Sequence, residues 1–456
     1  MCDHHRFNKG VKRVIAPAFS MKPERSELAS GIFFNRIPVD KFKTSRFSIS
    51  FVTPLTDNER AAKIALLSSV LRQGTVTYKT PAALSRRQEE LYSAILSSIV
   101  TKIGDYQLLT FSVNFLSNAF VPNGEDLLPM AMDLLGEVVF KPLIDENSGV
   151  FVEEYVAVEK RNLINRIASV QNNKAVYAAH RCTAIMHQDE PHGVFELGTQ
   201  EAVEQITPAS LYAAYRALLS EARIEVFYSG ADAVEPIVSW LVPQFSGIRR
   251  YPCRLAPVKV VRRVAKHRIV NERSDATQAR LCIGFRTGIA LGEKDTAALI
   301  LFNYLYAAAP TSKLFANVRE RLSLCYSCSS TLNLLNGTLM VTAGIETKKR
   351  NKATREIFRQ LKKTRRGRIT EREFSMALKT MQAQYMVIFD SPVAVERWYL
   401  VRFLAGLTET LSDFAEALTS LTVNDVTAVA KKLSLDTLYF LRGTQEGEVE
   451  EEEEDE

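Results

Sequence analysis

Hydrophobic and polar positions along this chain switch between a period of two and a period near 3.6, in an order that occurs twice. The first copy opens with Arg46-Phe-Ser-Ile-Ser-Phe-Val-Thr53, whose alternation reads as a strand. A polar turn with acids at Asp57 and Glu59 follows, then an Ala- and Leu-rich helix over 60–71 that stops at Gly74-Thr75. The second copy runs from Ala279-Arg-Leu-Cys-Ile-Gly-Phe-Arg286 through Glu293 and Asp295 into a helix over 296–308, and stops at Pro310-Thr-Ser312. Both helices are apolar on nearly every face, which marks them as buried. The repeat predicts two α+β units, each with a central helix inside its own core.

The remaining pattern fills in both units. The first adds a charged helix over 81–93 with Pro81 at its start, and a hairpin of strands 95–102 and 107–115 around Gly104-Asp105. Helices over 124–139, 145–167 and 208–220 then lead to a strand over 223–229. A stretch from about 231 to 264, with prolines and a basic run, reads as a linker. The second unit echoes the order with strands 324–334 and 337–345, helices 352–363, 370–389, 393–407 and 422–433, and a last strand 437–441.

Composition narrows the class. A chain of 456 residues with 46% apolar and 24% charged positions is globular and too long for one core. No stretch reaches the roughly 18 apolar residues needed to cross a bilayer. The segment before Met21 lacks the apolar core of a signal peptide, so a cytoplasmic location is expected, with Met1 and Met21 both open as the start. The six cysteines are few and scattered, so reduced thiols are expected. Cys325 and Cys328 form a CxxC, but a strand through them would put the two thiols on opposite faces, which argues against redox or metal chemistry. His187 and His192, beside Asp189 and Glu190, are five apart and share no helical face; His180 and His267 stand alone, and His4 and His5 lie near the start.

Charge is distributed unevenly. The last eleven residues, from Glu446, hold nine acids and no base, whereas 348–368 holds eleven Lys or Arg and one Glu. The acidic end is expected to be a solubilising tail. In the basic run, Ile357, Phe358 and Leu361 fall at helical spacing and would anchor a helix whose cations face solvent or an acidic partner. No stacking aromatics accompany it, so nucleic acid is not the expected partner.

Several segments carry a resemblance. Leu314-Phe315, Val318-Arg-Glu320 and Leu324-Cys-Tyr326 match one stretch, while Pro191-His-Gly193, Leu197-Gly-Thr199, Glu201, Ile206-Thr207 and the helix over 156–167 match others. Over roughly residues 25–442, the chain resembles the insulinase/pitrilysin metallopeptidase family, which includes mitochondrial processing peptidases and bacterial paired peptidase-like proteins. The resemblance implies an α+β fold of two homologous domains, each an antiparallel-rich sheet packed with helices, together forming half of a clam-shell chamber. The implied division is a flexible extension (1–24), an N-terminal domain (25–232), a linker (233–264), a C-terminal domain (265–443) and a disordered acidic tail (444–456).

In that family an inverted motif, HxxEH, on the first domain's central helix binds zinc and supplies the glutamate that polarises water, and a later helix gives a third ligand. Anchored on Gly74-Thr75, the motif positions here are Ala65, Leu66, Leu67, Ser68 and Ser69. Anchored on Glu159-Lys160, the later ligand position is Arg166, a cation where a cation would bind. No catalytic residue, metal or cofactor is therefore expected. The family's Arg and Tyr of the second domain, which contact substrate near the scissile carbonyl, are retained as Arg319 and Tyr326. The resemblance implies a non-catalytic subunit that binds peptide or protein substrate beside a zinc-bearing homologue, as a heterodimer, with a homodimer also open. The alternative is a scaffold or chaperone-like binder. Among the bacterial pairs, the chain is most similar to the inactive partner of the pair associated with 5-aminopentanol modification of elongation factor P.

Overall fold

Alternation and helix capping lay out two sheets. The computed structural model describes residues 21–276 and 278–443. The first sheet holds β1 (Glu24–Ala29), β2 (Ile32–Pro38), β3 (Thr44–Pro54), β4 (Ile95–Ile103), β5 (Tyr106–Leu116) and β6 (Arg223–Gly230), in the order β1-β2-β6-β3-β5-β4. The second holds β7 (Arg268–Ser274), β8 (Ala279–Arg286), β9 (Ser327–Asn333), β10 (Thr338–Ile345) and β11 (Ser434–Gly443), in the order β7-β11-β8-β10-β9. Without β1 the two orders correspond strand for strand. Each sheet is antiparallel except for one pair, β2 with β6 and β7 with β11. The duplication expected from the sequence is thus present as topology.

Fourteen helices among the described residues pack on these sheets. The first half supplies α1 (Asn58–Val70), α2 (Pro81–Glu90), α3 (Leu127–Phe140), α4 (Glu153–Asn172), α5 (Lys174–Met186), α6 (Gln200–Glu204), α7 (Pro208–Glu221) and α8 (Glu235–Gln244). The second half supplies α9 (Thr296–Asn303), α10 (Arg350–Arg365), α11 (Glu371–Ile388), α12 (Pro392–Leu404), α13 (Leu411–Thr419) and α14 (Val423–Lys432). As expected, α1 is buried along most of its length; Asp57 of the turn before it caps the helix, its carboxylate accepting from the Arg60 N–H at 2.8 Å. Its counterpart α9 is equally buried and continues as a wider π-helical turn at Tyr304–Ala308.

Three expectations need correction. The helix expected over 145–167 begins only at Glu153, because 145–151 forms a turn closed by an Ile144–Phe151 bridge. The linker expected over 233–264 starts with a helix: α8 buries Ile237 and Leu241, and Trp240 meets Phe47 edge-on with ring centroids 5.8 Å apart. The extended connection runs only over 248–267. Finally, 21–24 of the expected flexible extension belongs to the fold, since Met21 is buried and β1 starts at Glu24. The rest of that extension, with His4 and His5, and the acidic tail over 444–456 lie outside the described residues.

The halves exchange helices. α5 packs on β8 and β11 of the second sheet, while α12 packs on the first sheet with Phe403 stacked on Phe227. One core surrounds α1, a second surrounds α9 and reaches Val52, Leu108 and Phe227 on the first sheet, and a small third cluster joins Ala178 and Cys182 of α5 to Cys282, Tyr439 and Leu441. No helix among the described residues is long and apolar enough to cross a membrane.

Candidate functional site

The zinc-motif positions fall on the buried central helix of the first half. Ala65 and Ser68 are buried and Ser69 half-buried. The Ser68 hydroxyl donates to the Ala65 carbonyl at 2.7 Å, and Ser98 of β4 donates to the Ser68 carbonyl at 2.7 Å. These short side chains close on backbone and leave no imidazole or carboxylate. Arg166 is exposed on α4, which packs along α1. Gln73 Nε2 donates to Glu159 at 2.6 Å, tying the end of α1 to α4. Gly198 packs on α1 in the left-handed region, at φ +73°, and a Cβ there would lie 2.6 Å from the Ala62 Cβ. Among the described residues no group of three or more His, Cys, Asp or Glu side chains is placed to hold a metal ion.

Arg319 and Tyr326 lie in the second half, at either end of one turn. Arg319 belongs to a π-helical segment, Phe315–Arg321, and its guanidinium sits over the Phe315 ring at 4.7 Å. Leu324 N–H donates to the Val318 carbonyl at 2.9 Å, reversing the chain so that Tyr326 comes just before β9. Both side chains are open to solvent, at 43% for Arg319 and 55% for Tyr326. Arg319 reaches only its neighbour Glu320, at 3.7 Å, and the Tyr326 hydroxyl donates to Glu346 at 3.3 Å. A cation and a phenol held in this way can both hydrogen-bond a carbonyl oxygen.

The CxxC expectation needs correction. β9 starts at Ser327, so Cys325 precedes the strand and alternation does not govern it. Both thiols turn into the second core and hydrogen-bond one another. That bond and burial push Cys328 up; the same bond, with the nearby Arg319 charge, brings Cys325 down against burial.

The seam between the halves joins His187, Glu190 and His192, weighed in the sequence only as metal ligands, to Arg286, Asn333 and Asp436, which sequence reasoning passed over. His192 Nδ1 lies 2.7 Å from the Gly104 carbonyl, which can only accept, so Nδ1 carries the proton. Nε2 then accepts from Asn333 Nδ2 at 3.1 Å, and the neutral ring bridges the two hairpin turns. Burial is the main cause that pushes His192 down to about 3, helped by the charges of Lys102 and His187. Arg286, 1% exposed, donates to Asp436 at 2.7 Å, Glu190 at 2.6 Å and the Met186 carbonyl at 2.8 Å. Burial raises the Glu190 carboxyl, but hydrogen bonds from His187 and Arg286 outweigh it and hold it at about 2. A cavity of about 860 Å³ opens beside this seam, lined by Lys102, His180 and Glu196 from one half and Thr331, Asn333 and Met340 from the other. A basic residue ending the apolar strand 279–286 was the one signal in the sequence for this network. Arg319, Tyr326, Ala65, Ser68, Ser69 and Arg166 do not line the cavity.

Two corresponding sheets, a central helix without metal-ligating side chains at the zinc-motif positions and an Arg–Tyr turn are the features to set beside known proteins. Residues 205–381 match the model of the peptidase M16 inactive domain. A probable inactive metalloprotease of Bacillus subtilis, YmfF, is 29% identical over 415 residues, spanning 91% of this chain and 96% of that protein. An uncharacterized zinc protease of Mycobacterium tuberculosis is 27% identical over 316 residues, 68% of this chain and 70% of that one. Among solved structures, a conserved protein from Enterococcus faecalis superposes with a TM-score of 0.84 at 29% identity, covering 94% of this chain and all (100%) of that one. The peptidase M16 inactive domain from Pseudomonas fluorescens, at 17% identity, shares the fold with a TM-score of 0.74 over 94% of this chain and 100% of that one. The chain is thus similar to M16-family, insulinase/pitrilysin-like peptidases, and the relatives it resembles include one described as a probable inactive metalloprotease.

Proposed function

We propose that this chain is a non-catalytic subunit that binds peptide or protein substrate and completes the chamber of a zinc-bearing homologue. One observation carries the reading. The loss is selective: apolar and hydroxyl side chains fill the zinc positions, whereas Arg319 and Tyr326 stand open to solvent with only weak acidic neighbours. A decayed enzyme has no physical reason to keep an exposed guanidinium and an exposed phenol on one turn. Because the zinc positions hold no metal-ligating side chain, use of Arg319 and Tyr326 in hydrolysis calls for a second chain that brings the metal to them. The seat for an extended peptide would be β4, an edge strand of the first sheet packed on α1, with Ile95 and Ile99 exposed at 60% and 56%.

The test is reconstitution with a zinc-bearing homologue. The pair should cleave unstructured peptides that neither chain cleaves alone, and Arg319→Ala should lower kcat by roughly a hundredfold to a thousandfold, the usual cost of an oxyanion donor. Full activity of the Arg319→Ala pair, or cleavage by this chain alone with zinc, would overturn the reading. A second reading, a scaffold or chaperone-like binder that supports modification of a factor such as elongation factor P, is favoured by the seam cavity of about 860 Å³, which needs no partner to exist. Peptide binding without hydrolysis in any pair would favour it.

A further inference from the structure

The cations of the basic run collect on one stripe. Lys352, Arg355, Arg359 and Lys362 are exposed and fall three or four residues apart on one outward face of α10, and the exposed Lys348 and Arg366 extend the spacing just before and just after the helix. The opposite face buries Ala353, Ile357 and Leu361 in the second core. Lys348 meets Glu346 at 3.3 Å and Arg359 meets Glu356 at 3.2 Å. Lys352, Arg355, Lys362 and Arg366 meet no acid among the described residues. The first turn of α10 contains no acid either, so cations crowd the positive end of the helix dipole.

Two contacts fix where the chain leaves the fold relative to this stripe. At the far end of α10, Arg365 donates to the Leu433 carbonyl at 2.6 Å, next to the start of β11. At the near end, the Arg350 guanidinium sits over the Phe440 ring at 4.7 Å, close to the end of β11. β11 therefore runs antiparallel to α10, and Gly443 delivers the rest of the chain to the N-terminal end of the helix. The segment from 444 to 456 carries nine acids and no base. Fully extended it spans at most about 45 Å, more than the roughly 24 Å length of α10.

We infer that the basic stripe of α10 is a docking surface for the chain's own acidic C-terminal segment, residues 444–456. Charge complementarity, the exit point of β11 and sufficient length all select this occupant. The tether supplies it at an effective concentration in the millimolar range, ahead of any free acidic protein. The segment then screens the stripe from other polyanions and offsets the cations at the helix N-terminus.

The experiment compares the full chain with one ending at Gly443, using a labelled peptide of residues 444–456 as probe. The truncated chain should bind the peptide with an affinity that falls steeply with salt, and the full chain at least about tenfold more weakly, because its own segment occupies the stripe. The triple variant Lys352→Gln, Arg355→Gln, Lys362→Gln of the truncated chain should lose binding while its circular dichroism and melting stay unchanged. Carbodiimide coupling of the dilute full chain should join these lysines to the tail within one molecule. Equal affinity of full and truncated chains, retention of binding by the triple variant, or coupling only between molecules would each overturn the assignment. The stripe would then face an acidic partner or a second copy.

Discussion

The two exchanged helices, α5 and α12, bind opposite sheets by different means. Beneath α5 the contact is ionic and closed: the Nε and both terminal nitrogens of Arg286 have acceptors, and Asp436, 0% exposed, is shared with Arg268 at 3.1 Å. Beneath α12 the contact is one buried pair, Arg46 with Glu396 at 2.8 Å, beside the Phe227–Phe403 stack. Nearby, Arg402 is buried, lies against the Trp398 ring and pairs with Glu409, yet one of its nitrogens has no partner. Burial pushes that guanidinium down to about 10 despite Glu409. A buried charge is cheap to keep when all its donors are met and costly when its partner goes. The α5 seam should therefore be the more brittle of the two.

The largest expected effect is at Arg286. Arg286→Met leaves Glu190 with only His187 and the fully buried Asp436 with only Arg268 and the Thr437 hydroxyl, a loss of about 3–5 kcal/mol in urea unfolding. Glu396→Gln keeps the Ser48 hydroxyl partner, seen at 2.8 Å, and Arg46 keeps Asn114 at 3.2 Å. That substitution should cost only about 1–3 kcal/mol. The reverse order would break the comparison.

Acid should reach the α5 seam first. His192 has a folded pKa of about 3 against an ordinary 6.5, so below 6.5 the unfolded chain takes a proton that the native seam refuses. Stability falls as pH drops from 6.5 toward 3, at up to about 1.4 kcal/mol per unit. Glu190, held at about 2, contributes stability that is full above 4.5 and fades as pH falls toward 2. The decline should therefore steepen below 4.5. His192→Gln should flatten the upper window only in part, since burial also lowers His180. An unchanged slope between 6.5 and 4.5 in urea titrations would remove His192 from the account.

These seams mark the limit of what the sequence discloses. The duplicated strands and the central helices were legible because each is local: alternation in 46–53 and 279–286, polar turns carrying acids before each helix, apolar faces throughout. The α1 positions and Arg319 and Tyr326 were singled out through family segments, not through periodicity. α5 was missed because its apolar stripe is short and serves the other half's sheet, a contact no local pattern encodes. β1 and β2 were missed because Arg25, Asn35 and Glu225 look like surface residues until the parallel pairing of β2 with β6 brings Asn35 Nδ2 within 2.9 Å of Glu225. The CxxC misled because strand alternation was extended two residues past the start of β9.

The smallest expected effect sharpens the comparison most. Cys182 of α5 and Cys282 of β8 are buried together, 0% and 1% exposed, in the apolar patch that accompanies the Arg286 network. Cys182→Ala removes one sulfur from that patch and should cost only about 1 kcal/mol, well under the ionic substitution. Burial raises both thiols, Cys282 to about 12, so neither forms a reactive thiolate while α5 stays docked. Their labelling by a neutral-pH thiol reagent therefore reports the opening of α5. If the ionic network holds the helix down, Arg286→Met should speed labelling of both cysteines by at least about a hundredfold, each tenfold matching about 1.4 kcal/mol. Glu396→Gln, acting beneath α12, should leave that rate unchanged. Equal acceleration by both substitutions would mean that the halves open as one unit and that the two seams are not independent.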